Sequence, residues 1–136
     1  MNKKTVLVTG SNGFLGKNLI IKLKKLNSYT VLEFTKANTL TELEAFLKKA
    51  DYLYHLAAVN RPESDNKFNE VNFHLTKFIV DTIKKEKLNI QIVFSSSSQA
   101  ISNSPYGISK KKAEDILIEL HKKNNNSLAI FGLPGI

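Results

Sequence analysis

Two hydrophobic patterns alternate along the chain: short apolar runs rich in β-branched residues, and longer stretches with an apolar residue every three or four positions. The runs predict strands and the stretches predict amphipathic helices. The predicted strands cover residues 5–8, 29–34, 52–56, 90–94 and 127–131. The predicted helices cover residues 14–26, 40–49 (with Thr41 as its N-cap), 68–87 and 105–123.

The alternation of strands and helices predicts an α/β fold. Helices of this length between strands form βαβ units, which build a doubly wound parallel sheet covered on both faces. One domain over residues 1–136 accounts for the length of the chain. The chain stops soon after the fifth predicted strand, where such a sheet seldom ends. We therefore expect a domain that is incomplete at its C-terminus and a sequence that is part of a longer protein.

Composition narrows the chemistry. A hydrophobic fraction of 42% is enough for a core, and the chain contains no cysteine. Disulfide frameworks, thiolate metal sites and a cysteine nucleophile are therefore excluded. The three histidines are scattered and have no carboxylate cluster beside them, so we expect no metal site. The first apolar run is too short for a signal-peptide core or a membrane span, so we expect a cytoplasmic protein without membrane attachment.

The charge of the chain is strongly positive, with 20 Lys+Arg against 12 Asp+Glu and a formal net charge of +8. All of the cations except Arg61 are lysines, and they are spread along the chain, many of them near predicted helix ends. There they complement the helix dipole and keep the surface solvated. Nucleic-acid surfaces usually combine clustered cations with arginines or stacking aromatics. We therefore expect no nucleic-acid partner, and a polyanion partner is the less favoured alternative.

A glycine-rich turn joins the first predicted strand to the first predicted helix. Gly10, Gly13 and Gly16 follow Thr9 at intervals of three residues. Glycines allow a tight turn and a close approach of the backbone to a pyrophosphate, which binds at the positive N-terminus of the helix. Because the turn lies between a strand and a helix, the segment predicts a dinucleotide-binding loop rather than a merely structural turn.

A tyrosine and a lysine lie four residues apart near the start of the last predicted helix. Tyr106 and Lys110 therefore share one helical face. A nearby cation favours the phenolate and lowers the pKa of a tyrosine, which can then exchange a proton with a carbonyl or hydroxyl near neutral pH. The pair predicts a catalytic dyad, and the alternative is a surface tyrosine beside a solvated lysine.

The Thr-Gly-x-x-Gly-x-x-Gly loop together with the Tyr-x-x-x-Lys pair resembles the extended branch of the short-chain dehydrogenase/reductase superfamily, which modifies nucleotide sugars. The resemblance implies a Rossmann-like fold and a bound nicotinamide dinucleotide. It also implies that Ser97 steadies the reacting oxygen, that Tyr106 protonates it and that Lys110 holds the ribose. The strand end Leu56-Ala57-Ala58 would pass under the cofactor, whereas His55 is more simply an ordinary, partly buried histidine. The loop residues expected to contact the cofactor are Gly10, Ser11, Asn12, Gly13, Phe14, Leu15 and Gly16.

The resemblance also bears on the choice of cofactor. Members that prefer NAD usually carry an aspartate at the end of the second strand, which binds the ribose hydroxyls. Thr35 stands at that position here and Lys36 follows it. Lys36 could pair with a 2′-phosphate, so NADP(H) is favoured over NAD(H), although Glu33 nearby argues for NAD.

Two further stretches resemble the bifunctional capsular-polysaccharide reductase family. They are the Val-Asn-Arg-Pro-Glu loop, which contains Asn60 and Arg61, and the short gap between Ser97 and Tyr106. In that family a reductase domain precedes a cupin domain. The resemblance implies NADPH-dependent reduction of the C4 ketone of a UDP-2-acetamido-2,6-dideoxy-4-keto-hexose, on the way to an N-acetyl-L-fucosamine precursor. Asn60, Arg61 and Ser97 would contact this UDP-sugar, and the full-length protein would be a homo-oligomer.

Two alternatives remain open. Another nucleotide-sugar epimerase or dehydratase of the superfamily would keep the same loop and dyad, although a dehydratase normally needs an Asp-Glu pair where this chain has Ser98-Gln99. A truncated nucleotide-binding relic without turnover is the non-enzymatic alternative. The abrupt C-terminus leads us to expect little or no turnover from residues 1–136 alone.

Overall fold

A computed structural model describes residues 3–56, 73–97 and 105–133 of the chain. Within these ranges the backbone alone is described for residues 96–97, 105–107, 109 and 131–133.

Parallel strands form one sheet at the centre of the described chain. The strands are β1 (Lys4–Thr9), β2 (Tyr29–Phe34), β3 (Tyr52–His55), β4 (Gln91–Ser97) and β5 (Leu128–Leu133). Their order across the sheet is β2-β1-β3-β4-β5, and every neighbouring pair is parallel. The predicted α/β fold with a parallel sheet is therefore confirmed.

Helices connect the strands, as parallel pairing requires. They are α1 (Phe14–Leu26), α2 (Leu40–Lys49), α3 (Leu75–Glu86) and α4 (Pro105–Asn124). The predicted helix over 68–87 is confirmed from residue 75 onward, and its first part lies largely outside the described residues. Among the helices in the described ranges, none is long and apolar enough to cross a membrane.

The two faces of the sheet carry separate cores because successive strand residues point to opposite sides. On β1, the buried Val6 and Val8 pack with Ile20 and Leu23 of α1. Leu7 points the other way, into a larger cluster that contains residues of α2, α3 and α4. The sheet thus carries helices on both faces, and because its strands are parallel, their carboxyl ends lie at one edge.

The start of α2 corrects one prediction. Thr39, and not Thr41, is the N-cap: its hydroxyl accepts a hydrogen bond from the Glu42 backbone N–H at 3.1 Å. The Glu42 carboxylate accepts one in return from the Thr39 backbone N–H at 2.9 Å. This reciprocal capping box places the cap immediately before Leu40, whereas Thr41 lies inside the first helical turn.

Candidate functional site

The carboxyl ends of the parallel strands meet at one edge of the sheet, where ligands bind in open α/β folds. Thr9, the last residue of β1, is paired in register with Phe34 at the end of β2 and with His55 at the end of β3. Phe94 of β4 is in turn paired with His55. The chain therefore brings the carboxyl ends of these strands to a common edge.

The glycine loop after β1 has a geometry that excludes larger residues at two positions. Gly10 has a φ of 70°, in the left-handed region that favours glycine. A Cβ on Gly16 would lie 2.2 Å from the Gly10 carbonyl oxygen and 2.8 Å from the Ser11 Cα. The Gly13 backbone N–H donates a 3.0 Å hydrogen bond to that same carbonyl oxygen. The turn therefore passes directly over the first turn of α1.

The N-terminus of α1 is suited to an anion. Gly13 is the N-cap and makes no side-chain capping hydrogen bond, and the first turn contains no acidic residue. The first N–H groups of a helix have no intrahelical acceptor and carry the positive end of the helix dipole. Phe14, which opens the helix, is 84% exposed. These features fit the pyrophosphate of a dinucleotide.

A second contact ties the glycine loop to the end of β2. The buried Ser11 hydroxyl donates a 3.5 Å hydrogen bond to the Phe34 carbonyl oxygen. Of the predicted loop residues, Ser11 thus uses its side chain within the protein. Asn12 and Leu15 are exposed at this edge.

The turn after β2 holds the residues that we related to cofactor choice. The Thr35 N–H donates to Asn38 Oδ1 at 2.8 Å, and the Ala37 N–H donates to Thr35 Oγ1 at 3.1 Å. Lys36 is exposed and forms no ion pair with a carboxylate in the described ranges. Glu33 instead lies on β2 and forms a 3.5 Å ion pair with Lys24. An exposed lysine without an ion pair in the described ranges therefore follows the strand end.

His55 occupies the centre of this edge and is 1% exposed. Its Nδ1 lies 2.8 Å from Thr9 Oγ1, and its Nε2 lies 2.8 Å from Thr76 Oγ1 on α3. The Leu56 backbone N–H also donates to Thr9 Oγ1, at 3.0 Å. The histidine is therefore more deeply buried than the sequence suggested, and its partners could not be predicted from sequence spacing.

Lys110 projects from α4 into the protein and is 2% exposed. Its ammonium donates a 2.7 Å hydrogen bond to the Ser95 carbonyl oxygen of β4. It also lies 4.5 Å from the centre of the Phe94 ring, a cation–π distance. The predicted alternative, a solvated lysine on the surface, is thus wrong for Lys110.

Burial shifts the proton affinity of both groups. Desolvation lowers the pKa of Lys110 to about 8, partly offset by the negative charge of Glu114. Desolvation lowers the pKa of His55 to about 3, and the positive charge of Lys110 adds to the effect. At neutral pH the imidazole is therefore uncharged, and Lys110 is a cation that loses its proton more readily than an exposed lysine.

The structure describes the remaining predicted site residues only in part. Ser97 ends β4 and Tyr106 is the second residue of α4, both described by their backbones alone. Leu56 directly follows β3. The predicted contacts Ala57, Ala58, Asn60 and Arg61 lie outside the described residues. Ser97 therefore lies on β4, the strand that also carries Ser95. Tyr106 lies on α4, the helix that also carries Lys110.

Histidine and carboxylate side chains do not form a metal cluster in the ranges 3–56, 73–97 and 105–133. His55 bonds to the two threonines, and His121 Nδ1 lies 2.7 Å from the Asn126 carbonyl oxygen. These two histidines therefore have protein partners.

Comparison with known proteins gives relatives for this arrangement. The chain is 35% identical over 131 residues to UDP-2-acetamido-2,6-beta-L-arabino-hexul-4-ose reductase from Pseudomonas aeruginosa, covering 96% of this chain and 35% of that protein. It is 33% identical over 95 residues to GDP-6-deoxy-D-talose 4-dehydrogenase from Aggregatibacter actinomycetemcomitans, covering 65% of this chain and 30% of that protein. The chain thus spans about a third of the length of these relatives.

Solved structures also resemble this chain. The capsular polysaccharide assembling protein CapF from Staphylococcus aureus matches with a TM-score of 0.81 at 35% identity, covering 96% of this chain and 35% of that one. UDP-glucuronic acid 4-epimerase from Bacillus cereus, in complex with NAD, matches with a TM-score of 0.83 at 21% identity, covering 96% and 56%. At that identity the second likeness shows the fold alone, a Rossmann-like α/β sheet.

The sequence pattern of one enzyme family runs through almost the whole chain. The NAD dependent epimerase/dehydratase family matches residues 6–134, which include the glycine loop, the His55 strand and the Tyr106–Lys110 helix. The superfamily resemblance predicted from the loop and dyad is confirmed. This chain belongs to the NAD dependent epimerase/dehydratase family.

Proposed function

We propose that this chain is the dinucleotide-binding and catalytic part of an NADPH-dependent reductase of a nucleotide-linked 4-keto sugar. The proposed substrate is a UDP-2-acetamido-2,6-dideoxy-4-keto-hexose, used for capsular or other surface polysaccharide. Support comes from the Pseudomonas aeruginosa relative, whose name describes a 4-ulose reductase, and from the CapF structure. The second relative is named as a 4-dehydrogenase, so both names describe redox chemistry at position 4 of a sugar.

The residues present fit a dinucleotide. Gly10, Gly13 and Gly16 let the loop pack closely against the first turn of α1, at the helix N-terminus where the pyrophosphate would bind. Lys36, which is exposed after β2, would pair with the 2′-phosphate of NADP(H). Leu56, Ala57 and Ala58 would support the cofactor from below. We accordingly propose a preference for NADP(H) over NAD(H).

The proposed reaction needs one hydride and one proton. When bound, NADPH supplies the hydride that adds to the C4 carbonyl carbon of the sugar. Tyr106 would donate its phenolic proton to the carbonyl oxygen, so that the ketone becomes an alcohol, and solvent would restore the proton. Ser97 would hydrogen-bond the same oxygen and hold it in line with the tyrosine. Asn60 and Arg61 would bind the substrate, with Arg61 matched to the charge of its diphosphate.

The observation that carries the proposal is the burial of Lys110 at the end of β4. An ammonium that is 2% exposed has little solvent to screen it, so it acts strongly on groups beside it. Lys110 is held from within the protein by the Ser95 carbonyl oxygen and the Phe94 ring. In the proposed site it would lower the pKa of Tyr106 and bind the nicotinamide ribose.

A chimera tests the proposed function. In it, this chain replaces the matching third of the Pseudomonas aeruginosa reductase, which supplies the remaining length of a relative. Given NADPH and the UDP-4-keto-6-deoxy-N-acetylhexosamine, the chimera should consume NADPH. Tyr106→Phe removes the proton donor but keeps the ring, so the rate should fall by about 10²-fold or more while NADPH binding stays nearly constant.

The alternatives predict different results in that experiment. An epimerase would interconvert sugar isomers without net consumption of NADPH. A nucleotide-binding relic would bind the dinucleotide and give no turnover in the chimera. Unchanged turnover in the Tyr106→Phe chimera would contradict the role proposed for the tyrosine.

A further inference from the structure

The His55 side chain connects elements that are far apart in sequence at the edge where the proposed cofactor would bind. It lies on β3, and its two ring nitrogens contact Thr9 of β1 and Thr76 of α3, each at 2.8 Å. Its ring also lies 5.4 Å from that of Phe94 on β4. A single imidazole therefore links two neighbouring strands and a helix inside the core.

The contact with Thr9 reaches the glycine loop directly. Thr9 is the last residue of β1, and the left-handed Gly10 follows it. The Thr9 hydroxyl accepts the Leu56 N–H at 3.0 Å, which fixes the start of the segment after β3. The Gly10 carbonyl oxygen in turn accepts a hydrogen bond from the Gly13 N–H. The orientation of the Thr9 side chain should therefore affect both the start of the segment after β3 and the glycine loop.

The imidazole is uncharged, because its burial and the Lys110 cation both disfavour a second proton. A neutral ring has one donor and one acceptor nitrogen, so it donates to one threonine and accepts from the other. With both nitrogens engaged, the ring orientation is fixed. Its contact with Thr9 in turn restrains the Thr9 side chain.

We propose that His55 is a positioning residue for the cofactor loop, acting through Thr9 rather than by touching the cofactor. The link to a bound dinucleotide rests on the proposed function, but the link from His55 to the loop is a property of the protein alone. The contact with Thr76 holds the ring in place, whereas the contact with Thr9 connects the ring to the glycine loop. Loss of the Thr9 contact should therefore affect the loop more than loss of the Thr76 contact.

Two substitutions distinguish the hydrogen bonds made by the two ring nitrogens. The amide of His55→Asn lies where Nδ1 lies, so it can still bond to Thr9 but cannot reach Thr76. The amide of His55→Gln lies where Nε2 lies, so it retains Thr76 and loses Thr9. Both variants lose the ring and one hydrogen bond, so a general loss of packing should affect them alike. A difference between them reports the Thr9 contact.

The experiment is amide hydrogen exchange on the chain without cofactor, read at Leu56 and Gly13, with thermal unfolding measured in parallel. His55→Gln should speed exchange at both amides by about tenfold or more relative to His55→Asn, with similar unfolding midpoints. Equal exchange rates in the two variants would overturn the proposal. Faster exchange in His55→Asn would show that the two amides depend on the Thr76 contact instead, and it would also overturn the proposal.

NADPH titration of the same three proteins completes the test. His55→Gln should bind NADPH about tenfold more weakly than His55→Asn. Failure of the unmodified chain to bind any dinucleotide would contradict the proposed function, while the exchange rates would still decide the role of His55. Equal affinities in both variants would overturn the positioning role even if the unmodified chain binds well.

Discussion

The Lys110 ammonium lies over the face of the Phe94 ring, 4.5 Å from its centre. The ring offers its negative face to the cation, and the Ser95 carbonyl oxygen accepts a 2.7 Å hydrogen bond from the same nitrogen. Both groups are uncharged, so they hold the ammonium without neutralising it. The lysine therefore retains its positive charge for the site while its pKa falls to about 8.

This pKa predicts a pH limit for cofactor binding. Lys110 is protonated below about pH 8 and neutral above it, so the affinity for NADPH should decline as the pH rises through 8. In Lys110→Met, affinity should be low and nearly independent of pH over the same range. Fluorescence titration from about pH 7 to pH 9 checks this. An unmodified chain whose affinity stays constant across that range would contradict the role of the ammonium.

The same substitution should stabilise the protein. The pKa of Lys110 is lower in the folded state than its ordinary value of 10.5. The charged lysine therefore opposes folding at neutral pH, and this cost disappears as the pH rises toward 10.5. Lys110→Met removes the buried charge, so its unfolding midpoint at pH 7 should exceed that of the unmodified chain. A lower midpoint would show that the Ser95 and Phe94 contacts outweigh desolvation.

The glycine loop gives a pair of matched substitutions. A methyl group on Gly16 would lie 2.2 Å from the Gly10 carbonyl oxygen, whereas one on Gly13 would lie 3.3 Å from it. Gly16→Ala must therefore displace the loop from α1, and Gly13→Ala needs only a small adjustment. NADPH affinity should fall more than about tenfold in Gly16→Ala and much less in Gly13→Ala. Equal losses in the two variants would argue against the close approach.

Cofactor preference should depend on Lys36. Lys36 is exposed after β2 and forms no ion pair among the described residues, so it is available to a 2′-phosphate. The unmodified chain should bind NADPH more tightly than NADH, and Lys36→Ala should remove most of the difference by weakening NADPH alone. Lys22→Ala, at another exposed lysine, is the control for net charge and should leave the ratio unchanged. Equal binding of the two cofactors by the unmodified chain would refute the assignment.

His55 should make the protein less stable in mild acid. Its pKa is about 3 in the folded chain against an ordinary 6.5. Below pH 6.5 the unfolded state therefore binds a proton that the folded state does not. The free energy of unfolding should fall by about 1.4 kcal/mol per pH unit from this residue as the pH drops toward 3. Urea unfolding of the unmodified chain and His55→Asn between about pH 6 and pH 5 should show the slope shrinking in the variant.

Apolar patterns within single segments predicted the helices and strands well, but they did not predict the contacts between segments. The ranges of β2 and α2 follow from apolar spacing and agree with the prediction. Thr39 was missed as a cap because Thr41 is the same residue type two positions away. Only the reciprocal bond with Glu42 distinguishes them. The partners of His55 and Lys110 come from other strands and helices, and strand order, which brings them together, cannot be read from spacing within one segment.

Transfer of label from the cofactor tests the central claim most directly. The chimera described above, supplied with NADPH carrying deuterium at the transferable position of the nicotinamide and with the UDP-4-keto sugar, is analysed for the position of deuterium in the product. The account predicts one deuterium per product molecule, at C4 of the sugar, with one NADP⁺ formed for each. Deuterium at another carbon, or a converted sugar that carries none, would contradict reduction at C4.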